Sequence, residues 1–361
     1  MQAIVLVGGF GTRLRPLTET MPKAVVPIAN VPYIVRCLKY LEQNGVDHVV
    51  LSMGYLPEPI EKVLKHNPPA VKVEFCIEDR PLDTAGAIKY ASGKFSGLED
   101  RFFVLNGDIL TDIPLGELLS FHISRNAAVT IAAVPVADPA RFGVLDVEPD
   151  GRIRRFAEKP RVPPSNLINA GIYVYDRRVL DLIPGSVPWS VERQLYPEIL
   201  ERGENLYARA FEHAYWIDIG SLEGYLKANF DSVANLHAAS HLGSMYTQWW
   251  RDCVPAKQTR PGIWIHKSAL VSEQASLHPP VLIGPETRVE QGSVVGPSAV
   301  IGAGVVVDEG ATVSESVVLD DVFIGRQATV KKCVLSSGAR VEERATLVEG
   351  SIIGRMTVPP A

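Results

Sequence analysis

The chain has 361 residues, of which 21% are charged, and its formal net charge is −5; that length calls for more than one core, and the acidic balance supplies no basic field for nucleic acid. The four cysteines, Cys37, Cys76, Cys253 and Cys333, are far apart and form no CxxC pair, which argues against a zinc or dithiol site and for free thiols in a reducing compartment. No apolar stretch approaches the roughly 20 residues of a spanning helix and no basic leader precedes the first apolar run, so a cytoplasmic protein without membrane partners is expected.

Ala3 to Val7 reads as a buried strand, and the run GGFGTRLRP at residues 8–16 follows it directly. Gly8, Gly9 and Gly11 permit close backbone approach and positive φ, so successive N–H groups can converge on anionic oxygens. Thr12, Arg13 and Arg15 add a hydroxyl and two cationic forks. The spacing fits neither the Rossmann nor the Walker pattern. Beyond the loop, PKAVVP at 22–27 leads into the helical YIVRCLKYLEQNG, the strand HVVLSM, the helical PEPIEKVLKHN and the strand VKVEFCIE. That alternation predicts an α/β layer with a mostly parallel sheet. FFVLNGD at 102–108 is a further strand ending in an acid, and ligands in such sheets sit beyond the strands' carboxyl ends. AVTIAAVPV and GIYVYD read as later strands, and VERQLYPEILERG as a helix capped by Gly203.

After residue 260 the pattern changes. Ile265, Val271, Leu277, Ile283, Val289, Val295, Ile301, Val307 and Val313 recur every six residues. The ladder shortens by one residue to Val318, continues through Ile324 and Val330, shortens again to Leu335, and runs on through Val341, Leu347 and Ile353. Gly284, Gly296, Gly302, Gly325 and Gly354 follow ladder positions directly, where corners are expected. Sixteen hexapeptides predict a parallel β-helix of about five coils. The segment between the two patterns reads as a helical connector over residues 231–260, with Trp249 and Trp250 packing at a seam. The expected domains are therefore 1–230, the connector, and 261–358.

The string GGFGTRLRPLT followed by PKAVVPIANVPYI resembles the signature of the sugar-nucleotide pyrophosphorylases, which join a sugar 1-phosphate to a nucleoside triphosphate. The resemblance implies a Rossmann-like nucleotidyltransferase domain followed by a left-handed β-helix, in a homo-oligomer. It assigns the triphosphate to Arg13 and the sugar phosphate to Lys23, and it implies Mg²⁺ held by Asp108 and Asp218, the latter in WIDIGS. The nucleotide would be met by Leu6, Gly8, Gly9, Gly11, Thr12 and Arg13, and by Glu78, Asp83, Thr84 and Gly86 of EDRPLDTAGA. The sugar phosphate would be met by Lys23, Gly143, Glu158, Lys159, Asn169 and Gly171. Asp83 departs from the family pattern, which has glycine there. TAGA and NGDI look more like mannose-1-phosphate guanylyltransferases, implying GTP and mannose 1-phosphate as substrates, with thymidylyl, uridylyl and adenylyl transfer as alternatives. A carboxylate such as Glu78 or Asp83 could accept both guanine N–H donors. Two further readings stay open: a non-catalytic regulatory subunit, and acyl transfer in the β-helix, for which His266 and His278 are the available bases.

Overall fold

The computed structural model describes residues 1–9, 11–19, 21–54, 57–185, 187–235, 256–350, 352–353 and 357–358. Trp249, Trp250, Cys253 and Gly354 lie outside the described residues. Two compact units emerge, one of Met1–Gly9 with Ile34–Trp216 and one of Phe10–Tyr33 with Ile217–Ala361. The division falls inside the signature loop, after Gly9.

The first unit holds a nine-stranded mixed sheet: β1 Gln2–Leu6, β2 His48–Met53, β3 Lys72–Ile77, β4 Arg101–Asn106, β5 Val129–Pro135, β6 Gly143–Val147, β7 Ile153–Glu158, β8 Leu167–Asp176 and β9 Leu206–Ala210. Strands β3, β2, β1 and β4 lie side by side and parallel. Strand β8 then runs antiparallel to both β4 and β5, so half of the sheet departs from the parallel rule. The inner parallel strands β1, β2 and β4 are apolar along most of their length because helices cover them, whereas the edge strand β3 carries Lys72 and Glu74. Helix α1, Tyr33–Gln43, buries Ile34, Cys37, Leu38 and Leu41, the i, i+3, i+4 and i+7 positions of one face. Helix α2, Pro57–His66, returns the chain between the neighbouring strands β2 and β3, whereas α3, Asp83–Ser92, carries it from β3 past β2 and β1 to β4. Ala85, Ile88 and Ala91 of α3 join Ile4, Val50, Val104 and Tyr175 in one core. Each fully buried Val or Ile there contributes roughly 1.5–3 kcal/mol. The VERQL segment, Val191–Leu195, is a wide π turn that feeds the α-helix Tyr196–Glu201, and Gly203 follows at φ +70°.

In the second unit the sixfold ladder folds as predicted, into three parallel faces. Ile265, Ile283, Ile301, Val318, Leu335 and Ile353 stack in register on the first face. Val271, Val289, Val307, Ile324 and Val341 stack on the second, and Leu277, Val295, Val313, Val330 and Leu347 on the third. Each ladder residue from Ile283 to Val341 is at most 2% exposed. A second column lies two residues before the described rungs and mixes small residues, among them Ala299, Ala311, Ala328, Cys333 and Ala345, with Val281, Val305 and Val322. Both five-residue steps of the ladder fall at the same corner, where a single left-handed residue, Glu315 at φ +47° or Lys332 at φ +54°, turns the third face into the first. Gly284 is required by coil stacking, since a Cβ there would overlap the carbonyl oxygen of Gly302. The described cysteines, Cys37, Cys76 and Cys333, are buried free thiols. Among the described residues, no helix is long and apolar enough to cross a membrane.

Candidate functional site

In the first unit, the chain order of the parallel strands reverses between β1 and β4, and α/β sheets bind ligands beyond the strand ends at such a point. The backbone there is drawn tight. Val7 N–H donates to Ser52 O and Gly107 N–H donates to Leu6 O, both at 2.8 Å. A Cβ on Gly107 would stand 2.6 Å from Leu6 O, and one on Gly8 would stand 3.0 Å from Gly54 N. Gly9 has open space on its Cα, and Asp108 follows β4 as a half-buried carboxylate.

Beyond β3, the Glu78 carboxylate shapes its own loop, accepting from Ser52 Oγ at 3.2 Å and from Leu82 N–H at 3.0 Å. Asp83 opens α3 at φ +57°, in the left-handed region that glycine adopts without cost. Its Oδ1 accepts from Thr84 N–H at 2.7 Å, while the residue stays exposed. Thr84 turns away to the π turn, accepting from Val191 N–H at 2.8 Å and donating to Glu192 Oε2 at 3.2 Å. Gly86 lies against the same segment, with its N–H on Trp189 O at 3.0 Å and room for no Cβ beside Val187 O.

Gly143 and Glu158 are paired across β6 and β7, and a Cβ on Gly143 would meet Glu158 Oε2 at 3.1 Å. Lys159, at φ +45°, pairs with Glu158 Oε1 at 2.8 Å. Asn169 closes a register shift in β8: its Nδ2 donates to Tyr173 Oη at 2.8 Å and its Oδ1 accepts from Gly171 N–H at 2.9 Å. Gly171 has φ +73° and its Cα faces Asn106. Burial pushes the Tyr173 phenol well up, so it remains a neutral partner.

The second unit carries the cations. Gly11, at φ +59°, accepts from Leu14 N–H at 2.9 Å and from the Thr18 hydroxyl at 2.7 Å, which sets the short turn Thr12–Leu14. Asp218 then gathers both charged partners: Arg13 Nη2 lies 3.4 Å from Oδ2 and Lys23 Nζ lies 3.7 Å from Oδ1. Gly220 N–H donates to the same Oδ1 at 2.6 Å. The Lys23 side chain is 10% exposed and that of Arg13 is 62% exposed, so Lys23 forms the floor of this cluster and Arg13 its exposed rim. Gly220 completes a cradle: a Cβ there would overlap Lys23 Nζ and crowd Asp218 Oδ1 and Arg13 Nη2.

The family description "Nucleotidyl transferase" matches residues 2–234, and the description "GMPPB C-terminal domain" matches residues 277–358. The chain belongs to the nucleotidyl transferase family. This nucleotidyltransferase is 38% identical over 289 residues to mannose-1-phosphate guanylyltransferase 1 of Arabidopsis thaliana, covering 79% of this chain and 75% of that protein. It is 37% identical over 237 residues to a mannose-1-phosphate guanylyltransferase of Mycobacterium tuberculosis, covering 65% of this chain and 66% of that protein. The match thus spans just under two thirds of the mycobacterial relative. Among solved structures, HddC from Yersinia pseudotuberculosis complexed with GMP-PN is similar at 33% identity and a TM-score of 0.55, covering 63% of this chain and 97% of that one.

Arg13, Lys23 and Asp218 of the nucleotidyltransferase therefore stand together within one unit, as do Gly143, Glu158 and Lys159 within the other. The sequence reading passed over Gly220, although it lies in the quoted WIDIGS, and Glu192, whose tie to Thr84 crosses 108 residues. His266 Nδ1 accepts from Ser268 N–H at 3.1 Å and lies 2.8 Å from the Ser268 hydroxyl, the local bonding of a corner residue. For a divalent cation, Asp218 supplies hard oxygens that already gather charge, while one lone pair is tied to Gly220. Among the described residues no three or more His, Cys, Asp or Glu side chains form a metal cluster. The carboxylate of Asp218 is a donor of the kind Mg²⁺ takes, since that ion is held by one or two carboxylates and completes its shell with water and phosphate oxygens.

Proposed function

We propose that this nucleotidyltransferase joins GTP to mannose 1-phosphate, forming GDP-mannose and releasing pyrophosphate. A phosphate oxygen of the sugar phosphate attacks the α-phosphorus of GTP, and the bond from that phosphorus to the pyrophosphate oxygen breaks. The attacking phosphate is largely ionised at neutral pH, having a second pKa near roughly 6, and needs no strong base. The obstacle is repulsion between anions, so catalysis is positioning and charge stabilisation.

The observation that carries this reading is the Arg13–Asp218–Lys23 cluster. Asp218 holds two cations in place before substrate arrives. Lys23 is assigned to the attacking and transferred phosphates, and the exposed Arg13 to the departing pyrophosphate. Asp108 and Asp218 are assigned to Mg²⁺, which when bound supplies positive charge to the phosphate oxygens. Gly8, Gly9, Gly11 and Thr12 are assigned to the triphosphate, with Leu6, Glu78, Asp83, Thr84 and Gly86 on the nucleotide. Within that set the bonds of Thr84 and Gly86 to the 187–192 segment suit support of the base loop more than direct contact. Gly143, Glu158, Lys159, Asn169 and Gly171 are assigned to the sugar phosphate. Support for guanine and mannose comes from the names of the relatives and from the GMP-PN complex of HddC.

The test is a matrix of ATP, GTP, UTP and dTTP against mannose 1-phosphate and glucose 1-phosphate, read as pyrophosphate release with and without Mg²⁺. GTP with mannose 1-phosphate should lead and should require the metal. Faster turnover of dTTP or UTP with glucose 1-phosphate would overturn the substrate assignment.

A further inference from the structure

The segment that carries Lys23 is tied to the β-helix through a hairpin two residues wide at its tip. Pro27–Ile28 pairs antiparallel with Val31–Pro32, and Ala29 and Asn30 between them both have positive φ, +45° and +61°. Two left-handed central residues make a type I′ turn, which Asn tolerates better than other side chains. This turn is held from two sides within its unit. Ala29 N–H donates at 2.8 Å to Oδ1 of Asn229, a fully buried residue of helix α4, Leu222–Asn235. Asn30 Nδ2 donates at 2.8 Å to the carbonyl oxygen of Ile301, a rung of the β-helix ladder. That carbonyl also accepts from Gly284 N–H at 2.9 Å, so both of its lone pairs are used.

The same helix reaches both ends of the segment. The Tyr225 hydroxyl donates to Pro27 O at 2.8 Å, and α4 begins four residues after Asp218, whose carboxylate faces Lys23 and Arg13. Backbone bonds carry the hairpin's position back to the lysine: Tyr33 N–H donates to Val26 O at 3.0 Å and Val26 N–H to Lys23 O at 3.2 Å. The chain from ladder rung to catalytic cation is therefore continuous and has few rotatable parts.

We propose that Asn30 is a positioning residue that makes the β-helix part of the catalytic machinery, by anchoring the hairpin behind Lys23 to the Ile301 carbonyl. The proposal rests on the phosphate-binding role given to Lys23 above. Its consequence is that losing one side-chain hydrogen bond far along the chain lowers the rate of the chemical step without weakening substrate binding.

Two full-length variants test it. Asn30→Gly keeps the left-handed backbone available and removes the donor; Asn30→Asp keeps the shape and turns a donor into an acceptor facing a carbonyl. Both should lower kcat on the order of tenfold with KM for each substrate within about twofold, the loss of one positioning hydrogen bond. Hydrogen exchange should quicken at Val25, Val26 and Tyr33 and stay unchanged in the coils spanning residues 281–345. Unaltered kcat, or a change confined to KM, would overturn the proposal. If the wild-type protein releases pyrophosphate with no substrate pair, the proposed function fails by itself. Exchange at residues 25–33 then decides the anchor: quickened exchange in both variants supports it and unchanged exchange removes it.

Discussion

Gly220 holds Asp218 in place: its N–H donates to the same Oδ1 that faces Lys23, and the space a methyl on its Cα would need is taken by Lys23 Nζ, Asp218 Oδ1 and Arg13 Nη2. Nothing in its backbone demands glycine, because its φ is not in the left-handed region. The requirement is purely one of volume beside Lys23, Asp218 and Arg13. Gly220→Ala should therefore fold, with stability within a few kcal/mol of wild type as for other overpacked sites. It should lose about 10² in kcat as Lys23 and Arg13 are displaced from charge-stabilising positions. Steady-state pyrophosphate release together with a denaturant titration separates the two effects, and full activity would show that the cradle is not a substrate site.

Lys23→Met removes the buried charge and keeps the stem. Turnover should fall by on the order of 10² to 10³, the loss typical of one group aimed at developing charge. Arg13→Ala should lose a comparable factor if it stabilises departing pyrophosphate. Equal turnover in wild type and Arg13→Ala would return Arg13 to the role of an exposed partner of Asp218.

Asp83 gives a cleaner separation of backbone from side chain. At φ +57° a Cβ costs about 1 kcal/mol relative to glycine, and the aspartate recovers part of this through its bond to Thr84 N–H. Asp83→Gly should leave stability nearly unchanged, whereas Asp83→Ala should be less stable than Asp83→Gly by about 1 kcal/mol. If the carboxylate also accepts from guanine, both variants lose discrimination for GTP over ATP. Urea melts and a GTP/ATP ratio of kcat/KM check the two statements independently.

What could be read in advance follows from what is local. The ladder from Ile265 to Ile353 was legible because a β-helix repeats one environment, and the structure stacks the side chains from Ile265 to Leu347 in register. The glycine loop and PKAVVP were legible as a family signature because glycines, prolines and charges stand there at fixed spacing in one short run. Other features depend on pairs brought together only by folding. The column two positions before the rungs was hidden because Thr287 and Ser293, polar by type, occupy it fully buried, with hydroxyls on Gly302 O and Asp308 O. The clamp on Ala29 and Asn30 was hidden because Asn229 and Ile301 are distant in sequence. The mixed half of the sheet escaped because antiparallel β8 is as apolar as a parallel strand when buried on both faces.

His122 sets an acid limit on the first unit. It is fully buried, with Nδ1 2.9 Å from the Thr130 hydroxyl, and burial pushes its pKa down to about 4. An unfolded histidine titrates near roughly 6.5. Between those values the unfolded chain binds the extra proton, so stability rises with pH across that window and is lost as pH falls through it. The loss below pH 4 approaches about 3 kcal/mol from this residue. Denaturant melts at several pH values should show that slope in wild type and a shallower one in His122→Gln; identical slopes would assign the acid sensitivity elsewhere.

The two short steps of the ladder carry their own prediction. At Glu315 and Lys332 one left-handed residue makes the corner between the third and first faces, whereas the six-residue steps elsewhere take a longer turn at the same corner. An inserted glycine after Glu315 restores the six-residue step at a half-buried corner without moving Val313 or Val318 off their rungs, so it should shift Tm by only a few degrees. The same insertion after Phe323 pushes Ile324 off the buried column and flips the residues behind it to the opposite face. That variant should lose the several kcal/mol of a buried isoleucine and expose the β-helix to proteolysis. Comparable melting of the two insertions would mean that side-chain register does not hold the coils together.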